Sequence, residues 1–273
     1  MKIAMTIAGS DSGAGAGIQA DLKTFAAMRV YGLSVITAVT AQNTSAVTGV
    51  HLVPPEIVAR QMDALVDDFT VDAVKIGMLA DVNIVETVCE RLERNKLTNI
   101  VADPVMVATS GDMLITGRAD ELNHAFRNFL LPAATVVTPN IPEAEILTGR
   151  QISDFEGMKA AAEDLFRLGA ANVVIKGGHL EGEEDAVDLL FDGNDFIEYR
   201  VKRISTRNTH GTGCTFAAAL AAGLAKGLSL RQAVTEAKAF VTMALRDSLS
   251  IGHGRGPCHH FAELYRLADK EYD

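Results

Sequence analysis

Asn208-Thr209-His210-Gly211-Thr212-Gly213-Cys214 runs directly into Thr215-Phe216-Ala217-Ala218-Ala219-Leu220-Ala221-Ala222-Gly223-Leu224. Two glycines permit a tight turn, and the small apolar run after them predicts a buried helix. The free N–H groups of such a helix start, with the positive end of its dipole, suit a phosphate or a developing negative charge. One reactive side chain, Cys214, stands at that point. Alone, the stretch reads equally as a packing turn with a small buried cysteine. The rest of the chain has to decide.

Outward from this stretch, apolar runs of strand length alternate with amphipathic runs of helix length. Strands are predicted over Ile3–Ala8, Leu33–Ala41, Val71–Ile76, Ile100–Val107, Thr135–Thr138 and Val173–Ile175. Helices are predicted over Gly17–Met28, from Pro54-Pro55-Glu56 to Phe69, and over Val82–Arg94, Ala119–Leu130 and Met158–Leu168. Alternation of this kind predicts an α/β fold, a mostly parallel sheet covered by helices on both faces. Asp192-Gly193-Asn194, between Ala186–Phe191 and Phe196–Ile204, predicts a hairpin at one sheet edge. Helices then follow to the C-terminus. No repeat, linker or low-complexity stretch interrupts the chain, so a single domain over residues 1–273 is expected.

Composition narrows the function. Lys and Arg total 25 against 35 Asp and Glu, a formal net charge of −10. An acidic chain with no basic run is a poor partner for nucleic acid or an anionic membrane. A polyphosphate would have to be held by backbone dipoles, a few cations and Mg²⁺. The first strand begins close to residue 1, which leaves no room for a signal peptide, and no apolar run reaches transmembrane length. Three cysteines without paired spacing point to a reducing cytoplasm.

In open parallel sheets, ligands bind beyond the carboxyl ends of the strands. The unusual residues gather there: Gly9 to Gly17, Gln42-Asn43-Thr44, Gly77-Met78, Asp103-Pro104, Thr138-Pro139-Asn140 and Lys176-Gly177-Gly178-His179. Gly13, Gly15 and Gly17 make G-x-G-x-G rather than the dinucleotide fingerprint, and no Walker A loop occurs. The late glycine turn is therefore the better phosphate site.

Taken together, Thr6-Ile7-Ala8-Gly9-Ser10-Asp11, Gly15 to Lys23, Ala41-Gln42-Asn43-Thr44, Lys75-Ile76-Gly77-Met78-Leu79, Asp103-Pro104-Val105-Met106, Thr138 to Ala144, Lys176 to His179 and His210 to Cys214 set up a resemblance. In that order and spacing the chain resembles the ribokinase-like superfamily, in its hydroxymethylpyrimidine/phosphomethylpyrimidine kinase branch, over essentially its full length. The resemblance implies a three-layer α/β/α sandwich and a cytoplasmic homodimer. The implied activity is ATP- and Mg²⁺-dependent phosphorylation of 4-amino-5-hydroxymethyl-2-methylpyrimidine and then of its monophosphate. Cys214 stands where much of the superfamily carries Asp; the thiol marks the vitamin-kinase branch. A pyridoxal or pyridoxine kinase of the same branch is the nearest alternative, and a catalytically idle ligand-binding regulator another.

Each candidate residue has a chemical reading and a plain one. Cys214 is a general base if the helix start stabilises its thiolate, or a packing cysteine. Gly211 and Gly213 form an anion hole around the transferring phosphoryl, or simply shape the turn. Asn140 and Glu143 match the superfamily's N-x-x-E element, which organises Mg²⁺ and phosphate; by themselves they read as a helix cap. Asp103 ends a buried strand, where a carboxylate needs a cation or donors. The expected metal residues are Asp103 and Glu143, and Asn140, Lys176 and Thr209 are expected on the nucleotide side. Gln42 offers an amide that matches the edge of a 4-aminopyrimidine, or caps a loop. Asp11 and the loop from Gly13 are expected to border that pocket, with Met78 and Val105 as apolar walls. Cys258-His259-His260 lacks zinc-ligand spacing, and Cys89 falls in an apolar helical period, which makes it a packing residue.

Overall fold

Nine strands form one sheet in the order β3-β2-β1-β4-β5-β6-β7-β8-β9. The computed structural model describes residues 1–106, 119–180 and 184–269. The first half comprises β1 (Ile3–Asp11), α1 (Gly17–Ala27), β2 (Tyr31–Gln42), β3 (Val47–Leu52), α2 (Pro55–Asp68), β4 (Ala73–Ile76), α3 (Val82–Arg94) and β5 (Ile100–Ala102). Then come α4 (Ala119–Ala125), a π-helical turn (Phe126–Leu130), α5 (Leu131–Ala133), β6 (Val136–Val137), α6 (Ile141–Thr148), α7 (Phe155–Arg167) and β7 (Val173–Lys176). The chain continues with β8 (Asp185–Phe191), β9 (Phe196–Lys202), α8 (Thr212–Ala225), α9 (Leu230–Arg246) and α10 (Ala262–Asp269). Strands β2, β1, β4, β5, β6 and β7 run parallel, and antiparallel strands close both edges.

Strand alternation sorts side chains between two cores. Met5 and Ile7 of β1, Val74 and Ile76 of β4, and Val173 and Ile175 of β7 enter the core beneath α2, α3 and α7. Ala4, Ala73, Val101, Val136 and Val174 point the other way, against α8, α9 and Phe25 of α1. The α8 residues from Thr215 to Ala225 are all buried. Their small side chains let the helix backbone lie close to the sheet.

On the α8 side the alternation continues into a polar row at the strand ends. Thr6, Lys75, Asp103, Thr138 and Lys176 keep the same parity as the apolar residues two positions before them. Thr6, Lys75, Asp103 and Thr138 are buried. The chain leaves β1 towards β2 and returns on the other side at β4, so the crevice between their carboxyl ends is the sheet's switch point.

Several expected boundaries shift. The strand expected over Ile100–Val107 stops at Ala102, because Asp103 turns into the polar row and Pro104 has no N–H to donate to the sheet; Val107 lies outside the described residues. The helix expected over Ala119–Leu130 changes to π geometry from Phe126. Helix α7 starts at Phe155 rather than Met158, because the Asp154 carboxylate accepts the Gly157 N–H. The strand β3 was not anticipated: Asn43 accepts the Ser45 and Ala46 N–H groups and turns β2 back on itself, giving a hairpin at each edge of the sheet.

Candidate active site

At the start of α8, Gly211 is the N-cap residue and no side chain caps the helix. Its φ of +80° is left-handed, and a Cβ there would sit 1.8 Å from the Gly15 carbonyl oxygen. Only glycine allows this turn to meet the loop after β1. The capping boxes of α6 (Asn140 with Glu143) and α9 (Ser229 with Gln232) occupy the first N–H groups of those helices. At α8 the Thr212 N–H turns back to the Thr209 carbonyl at 3.3 Å, and no side chain caps the N–H groups that follow.

Beneath this start lies an ionic cluster. A Cβ on Gly213 would be 3.2 Å from Lys176 Nζ and 3.6 Å from Asp103 Oδ2, so both groups underlie the helix end. Lys176 Nζ donates to Asp103 Oδ1 at 2.6 Å, and the Thr138 hydroxyl donates to the same oxygen at 3.1 Å. Burial works against the Lys176 charge, but Asp103 and Glu143 outweigh it and raise Lys176 above the ordinary lysine value. Burial, reinforced by Asp103, pushes the Glu143 carboxyl up to about 7, against the pull of Lys176 and the Asn140 and Met106 N–H groups. Asn140 and Glu143 form the reciprocal cap of α6 and at the same time deliver Glu143 to Lys176 and Asp103.

Two carboxylates sharing one lysine leave a negative balance, and Glu143 is the group left short of a cation. This donor set fits Mg²⁺, which is held by one or two carboxylates, water and substrate phosphate rather than by a full protein cage. Among the described residues no three His, Cys, Asp or Glu side chains are arranged to hold a metal ion. Cys258 packs beside the Thr212 hydroxyl, and His260 Nε2 meets the Thr215 hydroxyl at 2.9 Å.

Cys214 is half-buried, and burial pushes its thiol up to about 11. Lys75 and the Gly17 N–H pull in the other direction, while Asp21 and Asp103 add to the rise. Burial is the largest of these effects, and it favours the neutral thiol. Thr209 lends its carbonyl to the turn, accepting the Thr212 hydroxyl at 2.7 Å.

Asp11 is buried, and its carboxylate is tied to the loop that follows it. It accepts the N–H groups of Gly13 (2.7 Å), Gly15 (3.0 Å) and Ala16 (2.8 Å) and meets His210 Nε2 at 2.8 Å. Burial opposes this charge, but His210 and the backbone donors hold the Asp11 carboxyl below its ordinary value. The two segments are thereby clasped together. His210 was quoted in the sequence motif without a role; a histidine beside two glycines carries no signal for a partner 199 residues away.

Gln42 ends β2 beside this loop, with its backbone exchanging hydrogen bonds with Ser12. Its Oε1 accepts the Thr40 hydroxyl at 3.1 Å, which that hydroxyl shares with the Ser10 carbonyl. Met78 and Val105 meet in a small third apolar cluster with Ala38, Ala80, Val47 and Val50. Cys89 lies at the core edge, and burial pushes its thiol up to about 12. A separate groove of about 1000 Å³ between α3 and the Phe129–Ala133 turn shares no residue with this site.

Residues 11–259 match the phosphomethylpyrimidine kinase family. The chain belongs to that family. Among its relatives, the hydroxymethylpyrimidine/phosphomethylpyrimidine kinase of Rhizobium meliloti (strain 1021) is 55% identical over 267 residues, 97% of this chain and 98% of that one. A phosphomethylpyrimidine kinase structure from Clostridium difficile 630 superposes with a TM-score of 0.79 at 41% identity, covering 90% of this chain and 100% of that one. A Bacillus subtilis pyridoxal kinase, solved as an ADP complex, gives a TM-score of 0.88 at 40% identity over 98% of this chain and 99% of that one. The family members therefore share the three-layer ribokinase-like architecture expected from the sequence. No helix among the described residues is long and apolar enough to cross a membrane.

Proposed function

We propose that this chain transfers the γ-phosphoryl of ATP to 4-amino-5-hydroxymethyl-2-methylpyrimidine and then to the resulting monophosphate, in thiamine biosynthesis. The observation that carries this reading is the uncapped start of α8 standing over Lys176 and Asp103, with Cys214 in its first turn. The α8 N–H groups and Lys176 hold the transferring phosphoryl, and Thr209 and Asn140 flank the nucleotide. Asp103 and Glu143 hold Mg²⁺, directly or through its waters; when bound, the metal neutralises phosphate charge. Gln42 reads the aminopyrimidine edge with its amide, and Met78 and Val105 cover the ring. Asp11 and Gly13 shape the pocket through the loop backbone. Once it has lost its own proton to water, the Cys214 thiolate takes the proton of the acceptor hydroxyl as that oxygen bonds to the γ-phosphorus and the bond to ADP breaks.

Pyridoxal is the second reading, favoured by the close superposition on the Bacillus subtilis pyridoxal kinase. ATP consumption measured separately with the aminopyrimidine, its monophosphate and pyridoxal tests both. Turnover of the first two identifies the thiamine kinase, and turnover of pyridoxal alone overturns it. The same reading carries a cytoplasmic homodimer, which sedimentation of the purified chain tests.

A further inference from the structure

In the polar row that faces α8, on the strand beside Asp103, lies a buried ion pair that the scheme above does not use. Lys75 of β4 and Asp21 of α1 are both fully buried, with Nζ 2.9 Å from Asp21 Oδ2. The Thr6 hydroxyl donates to that oxygen at 2.6 Å, and Thr6 faces Lys75 across the β1–β4 register. Asp21 Oδ1 is buried with no hydrogen-bond partner among the described residues. Gly77 keeps the space open, since a Cβ there would lie 2.7 Å from Lys75 Nζ. A fully buried pair with an unsatisfied oxygen is a poor stabilising device, and an apolar pair of similar volume often serves stability as well or better. Its position explains it better. Strand parity turns Lys75 towards α8, and Asp21 is one helical turn beyond Gly17, whose N–H faces the Cys214 sulfur.

We propose that Lys75, clamped by Asp21 and Thr6, is a positioning residue that supplies the fixed positive charge acting on Cys214 and so makes its thiolate accessible for catalysis. The proposal rests on the reading of Cys214 as the base. The thiol first loses its proton to water. The thiolate then accepts the hydroxyl proton of the acceptor as the new oxygen–phosphorus bond forms and ADP leaves. Lys75 from β4, Asp21 from α1, Asp103 after β5 and Lys176 from β7 interact with Cys214 by charge. Burial opposes the Lys75 charge, and Asp21 together with Cys214 and Asp103 outweighs it, while burial also raises the Asp21 carboxyl against the pull of Lys75 and Thr6. Of the groups that shift Cys214 by charge, Lys75 acts most strongly and Asp21 next, in the opposite sense.

The test is the rate of Cys214 alkylation by iodoacetamide at pH 9, followed by peptide mass spectrometry, with Cys89 in the same sample as internal control. Lys75→Met should slow Cys214 alkylation tenfold or more and leave Cys89 unchanged. Because this variant strands a buried carboxylate, the neutral pair Lys75→Met/Asp21→Asn is measured beside it, with folding checked by circular dichroism. The folded double variant should also alkylate at least fivefold more slowly than wild type. Wild-type or faster alkylation of Cys214 in the folded double variant overturns the proposal, as does equal slowing of Cys89. Failure of the base reading shows separately: Cys214→Ala would then keep wild-type turnover while the alkylation shifts stand.

Discussion

Gln42 has one amide oxygen lone pair engaged by Thr40, which leaves its N–H₂ and the second lone pair for a ligand. Gln42→Leu keeps the bulk and removes that pairing. It should weaken aminopyrimidine binding by about 1–3 kcal/mol without unfolding the protein. Calorimetry of the pyrimidine alone measures this, and wild-type affinity would remove Gln42 from the site. Cys214 poses a different question, because the second acceptor is a phosphate oxygen that is already anionic and needs no base. Cys214→Ala should therefore slow the first phosphorylation more than the second in single-turnover kinetics, and equal losses would assign Cys214 to shaping the anion hole. Glu143 joins the α6 cap to the ionic cluster and lacks a full cationic partner. Glu143→Gln should raise the Mg²⁺ concentration needed for half-maximal rate while pyrimidine binding without nucleotide stays unchanged. An unaltered Mg²⁺ curve would leave Glu143 as a cap alone.

Among the elements, the clasp between the β1 loop and the start of α8 is the most exacting. Gly211→Ala places a methyl group against the Gly15 carbonyl in a left-handed conformation. The strain of such a conformation alone costs on the order of 1–3 kcal/mol, before the clash is counted. The expected result is a lowered thermal midpoint together with loss of ATP turnover. A variant with wild-type stability and rate would show that the two segments need not meet. Capping aspartates at α3 and α7 and capping boxes at α6 and α9 place four helix starts by local chemistry. Helix α8, like α1, instead has its start shaped by a glycine of positive φ and bears no side-chain cap.

At the scale of the whole molecule, two buried groups set opposing pH dependences. Glu143 titrates at about 7 in the fold against 4.5 ordinarily, so between those values the folded protein holds a proton that the unfolded chain has lost. Its contribution to stability falls as pH rises through that window. Burial lowers His260 to about 4 from 6.5, so the unfolded chain binds the extra proton and stability is lost as pH falls through that window. In wild type the two slopes oppose each other over most of this range. In metal-free buffer, Glu143→Gln should make the melting temperature rise from pH 4 to pH 6.5, and His260→Gln should make it fall from pH 4.5 to pH 7. Calorimetric scans across pH 4–8 measure both, and parallel profiles for the two variants would contradict the assignment. What the sequence determined by itself was the periodic part: the β/α alternation, the parallel sheet, the hairpin at Asp192-Gly193-Asn194, the buried α8 and the strand-end position of Gln42, Asp103 and Lys176. Those features follow from local hydrophobic period and turn chemistry, which neighbouring residues carry. Only the tertiary structure decided that Asp11 spends its carboxylate on a loop and His210, that β2 turns back at Asn43, that burial pushes the Cys214 thiol up, and that Lys75 and Asp21 pair in the interior. Each of these depends on burial and on partners distant in sequence, and desolvation together with the opposing charges of a shared interior cannot be read from residues taken in order.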